Sequence, residues 1–320
     1  MKLNPDLHKK EVEQEAIRVG FGRGLVTAGE RNGQIVALCA DLTESTKMDG
    51  FAKAFPERFV EVGVAEQNLV TVAAGMALVG KVPFVSSYAA FSPGRNWEQI
   101  RTTICLNDTN VKIAGSHAGV SVGPDGATHQ MLEDIALMRA LPNMMVVVPC
   151  DSLEAEKATM AIAAHTGPAY IRLAREKSPI VTTAETPFAL GKAQVFREGS
   201  DVTIAACGPM VYQALEAAEM LAKKKIKAEV INVPVVKPLD TMTLLASIRK
   251  TGRVVTVEEA QINGGLGGAI AELVGENHPV PLRRIGMKDR FGESGKPDEL
   301  LEHFGLTAPH IVKIVEELVK

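Results

Sequence analysis

The segment RFVEVGVAEQNLVTVAAGMALVGKVPFVSSY, residues 58–88, decides the fold class. It opens with a short apolar strand at 59–62, continues with apolar residues at helical spacing over 66–79, and closes with a second apolar strand at 83–86. A strand, a helix and a strand in this order form the unit from which parallel sheets are built. The segment therefore predicts an α/β fold.

The same alternation extends in both directions from this segment. Upstream, it predicts a helix over 12–28 and a buried strand over 34–40. The downstream predictions are a helix over 97–106, a strand over 111–114, a helix over 130–141, a strand over 145–148, a helix over 153–165 and a strand over 169–173. This pattern indicates a doubly wound, mostly parallel sheet with helices on both faces.

The pattern lapses in the proline- and threonine-containing stretch EKSPIVTTAETPFALG, residues 176–191. We place a domain boundary there, with one domain over 1–185 and a smaller open α/β domain over 186–320. The second domain has predicted strands at 202–206, 228–233, 254–258 and 280–285 and predicted helices at 211–224, 241–250, 267–275 and 308–320.

Composition narrows the classes of function. Of the 320 residues, 46% are apolar and 23% are charged, as in ordinary globular proteins, and the formal net charge is −3. No long basic run offers the surface that nucleic acid or an anionic membrane requires, so small molecules or other proteins are the expected partners.

The cysteines and the N-terminus indicate a cytoplasmic protein. The four cysteines are too widely spaced for a zinc motif or a disulfide framework, and we expect them to be reduced, mostly buried thiols: Cys39, Cys105, Cys150 and Cys207. The start MKLNPDLHKKEVEQE has no apolar signal core. The most apolar stretch, 69–80, is too short to span a bilayer.

Two glycine clusters invite comparison with nucleotide-binding turns. GFGRG at 20–24 lies inside a helical pattern, where the phosphate-binding geometry is missing. GGLGG at 264–268 follows a strand and precedes a helix, but it lacks the third glycine and the later acidic residue of the dinucleotide fingerprint. We therefore interpret the second cluster as a tight turn that allows close helix packing.

Polar residues gather in the loops that follow the predicted strands: 41–45, 66–68, 88–95, 117–129 and 172–175. Because the carboxyl ends of parallel strands meet at one edge of a sheet, these loops are predicted to line a common crevice. Taken alone, a residue such as Glu66 has an ordinary explanation, since an acid in the first turn of a helix is favoured by the helix dipole.

The joint order of these loops resembles the C-terminal half of the transketolase family, which includes 1-deoxyxylulose-5-phosphate synthase. The resemblance is carried by ADLTEST at 40–46, RFVEVGVAEQN at 58–68, SSYAAFSPGRNWEQIR at 86–101, GSHAGVSVGPDGATHQMLEDIALMRALPNM at 115–144 and YIRLAR at 170–175. It implies a pyrimidine-binding domain over 1–185 and a transketolase C-terminal α/β domain over 186–320.

The resemblance implies thiamine diphosphate as cofactor. In the family, the residue matching Glu66 hydrogen-bonds N1′ of the aminopyrimidine and favours the imino tautomer, which removes the C2 proton. Tyr88 and Phe91 match the aromatic platform on which the pyrimidine stacks. Asp41 matches an acid near the cofactor across the subunit interface. Arg95 is displaced by one residue from the family's spacing, so no role is assigned to it.

The resemblance also implies a sugar phosphate substrate. His129 and Asp125 match residues that contact hydroxyls near the transferred two-carbon unit, and His129 joins Glu66 as a predicted catalytic residue. The residues matching the phosphate-holding group are Ser45, His117 and Arg175. A guanidinium suits this task because it donates two parallel charge-assisted hydrogen bonds.

One departure from the family indicates a split enzyme. The GDG motif that, with a later Asn, holds the diphosphate and its divalent metal is absent; the nearest string, GPDG at 123–126, aligns with the substrate loop. The chain also starts where the second half of a full-length transketolase would start. We therefore expect a separate N-terminal subunit to hold the diphosphate and Mg²⁺ or Ca²⁺, with no metal site here. Two copies of each subunit are expected around a two-fold axis.

The predicted reaction is ketol transfer between a ketose phosphate and an aldose phosphate, as in the pentose phosphate pathway. Deoxyxylulose-phosphate synthesis from pyruvate is the nearest alternative, and the loop carrying His117 and His129 favours transketolase. The β-subunits of 2-oxoacid dehydrogenases share the length and layout, but their characteristic loops are not visible. A non-catalytic binding subunit is a fourth interpretation, against which the presence of Glu66 and the histidines argues.

Overall fold

The computed structural model describes residues 2–9 and 11–320. The strands of its first part are β1 (Gln14–Ala16), β2 (Ile35–Cys39), β3 (Phe59–Glu61), β4 (Val82–Tyr88), β5 (Lys112–Ser116), β6 (Met145–Val147), β7 (Ala169–Arg172) and β8 (Lys177–Pro179). The helices are α1 (Ile17–Arg31), α2 (Asp49–Ala54), α3 (Glu66–Leu78), α4 (Trp97–Gln99, continued by a π-helical segment Ile100–Cys105), α5 (Asp134–Arg139) and α6 (Ser152–Ala164). Short 3₁₀ turns lie at Pro56–Arg58 and Val120–Val122.

The second part repeats the alternation of strands and helices. Its strands are β9 (Gln194–Arg197), β10 (Val202–Ala206), β11 (Ala228–Asn232), β12 (Val235–Lys237), β13 (Val254–Gln261) and β14 (Leu282–Met287). Its helices are α7 (Met210–Lys223), α8 (Thr241–Thr251), α9 (Leu266–Asn277), α10 (Pro297–His303) and α11 (Ala308–Val319).

Most strands form two mostly parallel sheets, which confirms the predicted fold class, and β1 and β8 form a separate two-stranded antiparallel sheet. The larger sheet has the order β12-β6-β7-β5-β4-β2-β3, and the smaller one has the order β14-β13-β10-β11-β9. Strands β2 to β7 pair in parallel, so their carboxyl ends share one edge. β2 and β5 are buried along their whole length, as expected of continuous apolar runs covered on both faces.

The two parts of the chain are joined by one strand of the second part that pairs with the larger sheet. β12 comes from the second part of the chain but pairs antiparallel with β6 of the larger sheet, with Val235 opposite Val147. The boundary that we predict at residues 185/186 lies between β8 and β9 and stays a prediction. Backbone pairing across the two parts means that the second part is anchored to the sheet that carries the polar loops.

Some elements differ from the sequence-based prediction. The helix predicted over 12–28 begins at Ile17, because Gln14–Ala16 instead pairs with β8. The helix predicted over 130–141 is shortened to Asp134–Arg139. The missed strands β1, β8, β9 and β12 have three or four residues each, too few to show a clear alternating pattern.

Close helix packing explains the first glycine cluster. A Cβ atom at Gly20 would lie 1.7 Å from the carbonyl oxygen of Ser152, and one at Gly24 would lie 2.7 Å from that of Glu156. Both glycines lie in α1, and both contacts are with α6. The glycines therefore serve the packing of α1 on α6, in agreement with our rejection of a phosphate-binding loop.

The cysteines are free and buried, as predicted. Burial raises the pKa of the Cys105 thiol to about 11, so this thiol is not reactive at neutral pH. Across residues 2–9 and 11–320, no helix combines the length and the apolar character needed to cross a membrane.

Candidate active site

Four rings from the loops that follow β4 and β5 come together at the carboxyl edge of the larger sheet. We call Tyr88, Phe91, His117 and His129 the aromatic cluster. The ring centroids of Tyr88 and His117 lie 3.8 Å apart in a stacked arrangement, and those of Phe91 and His129 lie 5.4 Å apart edge to face. The loops after β4 and β5 therefore converge as the topology requires, while the roles of these residues stay predictions.

Glu66 borders the aromatic cluster through Arg95. Glu66 is the first residue of α3 and is 2% exposed. Among the described residues, the contact of its carboxylate is with Arg95, whose Nη1 lies 3.5 Å from Oε2. The Arg95 guanidinium lies over the ring of Phe91, 5.6 Å from its centroid. The Asn96 side chain donates to the Glu66 carbonyl at 2.7 Å, which fixes the start of α3.

Two cationic side chains, Arg18 and Arg175, lie close to His117 of the aromatic cluster. Arg18 Nη1 donates to the carbonyl of Ser45 at 2.5 Å, and Arg18 Nε donates to the carbonyl of Arg175 at 3.2 Å. Arg175 Nη1 donates to the carbonyl of Val122 at 2.7 Å and pairs with Glu176 at 3.1 Å. Two guanidinium groups are thus held near each other, which favours an anion between them.

His117 is neutral at physiological pH. Burial, together with the charges of Arg18 and Arg175 and of nearby His129, lowers the pKa of His117 to about 3. The Nδ1 atom of His117 lies 2.9 Å from Ser116 Oγ, and the backbone of His117 has a positive φ. A neutral imidazole offers one donor and one acceptor nitrogen, so His117 can hydrogen-bond to a ligand but does not supply charge.

The sequence analysis missed Arg18. This arginine comes from α1, before the first strand of the sheet, and no motif in that helix marks it. The available signal was its position, since a charged residue lies between Ile17 and Phe21, which are both fully buried. Charged residues among core positions are usually paired or functional.

Two predicted residues lie apart from these groups in the isolated chain. Asp41 is exposed, and its backbone N–H donates to Glu61 Oε1 at 2.7 Å. Asp125 is exposed at the tip of its loop, between Gly123 and Gly126. No hydrogen bond or ion pair within the described residues links either carboxylate to the aromatic cluster. Their predicted roles stay predictions.

The second glycine cluster encloses a side chain of the protein itself. Glu258 places one carboxylate oxygen 2.7 Å from the N–H of Leu266 and the other 2.7 Å from the N–H of Gly267, at the start of α9. A Cβ atom at Gly265 would lie 2.0 Å from Glu258 Oε2. The helix N-terminus that could bind a phosphate is therefore occupied, in agreement with the interpretation as a packing turn.

The comparison with known families identifies the family to which the chain belongs. The family "Transketolase, pyrimidine binding domain" matches residues 13–180, and the family "Transketolase, C-terminal domain" matches residues 191–311. The chain belongs to the transketolase family. This family is one of transferases, and its pyrimidine-binding domain implies binding of thiamine diphosphate.

Relatives match the chain over nearly its full length. A 6-deoxy-6-sulfo-D-fructose transketolase subunit from Clostridium sp. (strain MSTE9) is 45% identical over 97% of this chain and 96% of that protein. A putative transketolase C-terminal section from Methanocaldococcus jannaschii is 44% identical over 96% of this chain and 97% of that protein. A solved structure described as a split gene transketolase, an inactive β4 tetramer, has a TM-score of 0.89 at 48% identity, covering 95% of this chain and 98% of that one.

The residues present fit the pyrimidine end of thiamine diphosphate. Glu66 is a buried carboxylate with one long contact, so it can accept or share a proton with a ring nitrogen. Tyr88 and Phe91, with ring centroids 6.0 Å apart, offer flat apolar surfaces beside it. Within the part of the chain that the structure describes, no group of three or more His, Cys, Asp or Glu side chains could hold a metal ion.

Proposed function

We propose that this chain is the C-terminal subunit of a split transketolase that transfers a two-carbon ketol unit from a ketose phosphate to an aldose phosphate. The observation that carries the proposal is the buried, nearly unpaired Glu66 carboxylate beside the aromatic cluster. A carboxylate buried without full hydrogen bonding costs folding free energy, and such groups are concentrated at functional sites.

Thiamine diphosphate supplies an electron sink for breaking and forming carbon–carbon bonds. Glu66 would hydrogen-bond N1′ of its aminopyrimidine, and Tyr88 and Phe91 would stack on the ring. The buried position of Glu66 excludes water that would otherwise compete for the carboxylate. Asp41 would approach the cofactor from its exposed position once a neighbouring subunit is present.

The cationic group fits the phosphate of a sugar. Arg18 and Arg175 would supply the positive charge, and neutral His117 and the hydroxyl of Ser45 would add hydrogen bonds. His129, at the edge of Phe91, would face the hydroxyls near the reacting carbons. Asp125 would join it, since both lie in the loop that follows β5.

Exposed apolar residues support assembly with other chains. Val64, Leu78 and Val79, at the two ends of α3, are 69%, 72% and 78% exposed, and Leu106, at the end of the π-helical segment that packs on α3, is 75% exposed. Such residues are typical of subunit interfaces. We propose that they contact a second copy of this chain and an N-terminal subunit that holds the diphosphate and Mg²⁺ or Ca²⁺, in a cytoplasmic two-fold heterotetramer.

The test combines the chain with a candidate N-terminal subunit that contains a GDG motif and a later Asn. The co-expressed pair is sized by light scattering and assayed with thiamine diphosphate, a divalent metal and a panel of donors. A complex that turns over ketose phosphates with an aldose phosphate supports the proposal. A complex active only with pyruvate and glyceraldehyde phosphate would indicate deoxyxylulose-phosphate synthesis instead. Because relatives are named for 6-deoxy-6-sulfo-D-fructose and apulose 4-phosphate, both sugars belong in the panel.

A further inference from the structure

The loop that carries both cluster histidines has little regular structure of its own. We call residues 117–133, between β5 and α5, the histidine loop. Four of its residues have positive φ, namely His117, Gly119, Gly123 and Gly126. Apart from the 3₁₀ turn Val120–Val122, no regular element in the described chain spans it. Its conformation is fixed by hydrogen bonds within the loop, such as that from the N–H of Gly119 to the carbonyl of Met131 at 2.9 Å, and by contacts from outside it.

The contacts from outside the loop come from both parts of the chain. The first part contributes Arg172, Leu173 and Arg175, and the second part contributes three more hydrogen bonds. Glu259 Oε1, in β13, accepts a hydrogen bond from the backbone N–H of Ser121 at 2.6 Å. The backbone N–H of Gln261 donates to the carbonyl of Leu132 at 2.8 Å. The side chain of Gln130 donates to the carbonyl of Glu293 at 2.9 Å. The second part of the chain thus holds the loop at Ser121, at Gln130, which follows His129 directly, and at Leu132.

Glu259 is an unfavourable residue to bury for stability alone. It is 2% exposed, and its Oε2 has no hydrogen-bond partner among the described residues. Burial raises the pKa of its carboxyl despite the nearby Arg172. An apolar residue at this position would avoid the free-energy cost of burying a carboxylate. The hydrogen bond with Ser121 is what the carboxylate of Glu259 adds that an apolar residue could not.

The surroundings of Glu259 are shaped around this contact. A Cβ atom at Gly119 would lie 2.4 Å from Glu259 Oε1, so the loop approaches the carboxylate where it has no side chain. Arg172 Nη2 donates to the carbonyls of both Glu259 and Met131, at 2.8 Å and 3.3 Å. The same guanidinium donates from Nε to buried Asp134 at 2.8 Å. Arg172 therefore ties β13 to the end of the histidine loop.

The second part of the chain is a firm support for this purpose. β12 is hydrogen-bonded into the larger sheet beside β6, which anchors the second part of the chain to the sheet that carries the loop. Glu259 itself lies in β13, which pairs with β10 and β14 in the smaller sheet.

We propose that Glu259 is a positioning residue: by holding Ser121, the C-terminal domain fixes the histidine loop and thereby sets His117 and His129 for the sugar phosphate. The contact and its effect on the loop are independent of the proposed function. The consequence for substrate rests on it.

The loop is tested first in the isolated full chain by amide hydrogen exchange. Glu259→Ala is expected to accelerate exchange in residues 119–123 by about 10-fold or more, because opening of this segment becomes easier. Glu259→Gln keeps an oxygen that accepts from Ser121 and is expected to exchange like wild type. Glu229→Ala is the matched control: Glu229 is fully buried in β11, has an oxygen without a partner among the described residues, accepts from the N–H of Gly199 and pairs with Lys250.

The proposal is overturned if Glu259→Ala leaves exchange in residues 119–123 unchanged, or if Glu229→Ala accelerates it equally. If Glu259→Ala does not fold, Glu259→Asp is used; it shortens the side chain by one methylene and is expected to accelerate exchange in the same residues. Exchange at wild-type rates in Glu259→Asp would then overturn the proposal.

The consequence is tested in the reconstituted complex. Glu259→Ala is expected to raise KM for the sugar phosphates by about 10-fold, with a smaller change in kcat and unchanged cofactor affinity measured by calorimetry. Glu259→Gln is expected to restore KM. Unchanged KM in an active complex would overturn the positioning role. An inactive wild-type complex would contradict the proposed function, and the exchange result would still decide the loop contact.

Discussion

Two buried glutamates at the starts of two helices differ in how well they are satisfied. Glu258 accepts two backbone N–H groups at the start of α9, each at 2.7 Å. Glu66, in the first turn of α3, is buried to the same degree, yet the nearest side-chain donor to its carboxylate among the described residues is Arg95 at 3.5 Å. Glu66 follows strand β3 and Glu258 lies within strand β13, and both carboxylates lie near the start of a helix, where the helix dipole favours an acid.

The difference shows that burial of an acid does not by itself mark an active site. At α9 the chain fills its own helix N-terminus, so the N–H groups of Leu266 and Gly267 are not available to a ligand. At α3 the carboxylate has hydrogen-bonding capacity to spare, and Arg95, which contacts it, also lies over the ring of Phe91. An unsatisfied buried group beside flat apolar surfaces is the feature that separates a site from a structural cap.

The largest effect is expected when Glu66 is replaced. In the reconstituted complex, Glu66→Ala is expected to reduce kcat by at least about 100-fold, because the contribution of a positioned proton-exchanging group is lost. Assembly, measured by light scattering, is expected to persist, since the side chain makes one long contact. Glu258→Gln is the control, and its turnover is expected to stay close to that of wild type.

If Glu66→Ala kept its activity, Glu66 would not be a functional residue, and its difference from Glu258 would have no consequence for catalysis. The chain would then be better described as a non-catalytic binding subunit. Equal losses in Glu66→Ala and Glu258→Gln would instead indicate that both changes act through folding.

The sequence could predict the parts of the site that follow from the order of strands, loops and helices along the chain. Strand–loop–helix repeats place the loops of Tyr88 and His117 at one sheet edge, and the structure brings these rings into contact. The sequence alone could not predict Arg18, because this residue reaches the site only through the packing of α1. It could not predict Glu259 either, since the link to Ser121 spans 138 residues and two domains. Contacts of that range leave no periodic pattern in the sequence.

A smaller effect is expected at the cationic group. Arg18→Ala and Arg175→Ala are each expected to raise KM for phosphorylated sugars by about 10-fold to 100-fold, as expected for loss of a charge-assisted hydrogen bond. Cofactor affinity is expected to change little. Arg23→Ala is the matched control, because Arg23 lies in the same helix as Arg18 but pairs with Glu15 and Glu156.

This measurement tests whether the carboxyl edge of the larger sheet, near Glu66, binds an anionic group through Arg18 and Arg175. Initial rates at varied sugar phosphate give KM for each variant. A KM for Arg18→Ala equal to that of Arg23→Ala would show that Arg18 holds the Ser45 and Arg175 carbonyls for structural reasons only.

The smallest effect is expected in the pH dependence of stability. Burial raises the pKa of Glu258 in the folded chain to about 7, from an ordinary value of 4.5, although two backbone donors oppose the shift. Between these values the folded state binds more protons at this site than the unfolded state does. The contribution of Glu258 to the free energy of unfolding is therefore fully present below pH 4.5 and declines as the pH rises to 7.

The isolated chain can test this with Glu258→Gln. Subtracting the variant's free energy of unfolding from that of wild type at each pH removes the titration of all other groups. This difference is expected to fall, on the order of 1 kcal/mol, as pH rises through the window, in urea unfolding curves. The loss of one N–H acceptor in the amide adds a constant offset, so only the slope is diagnostic. A flat difference would mean that the two N–H donors fully offset burial, which would make Glu258 an ionised cap and widen its contrast with Glu66.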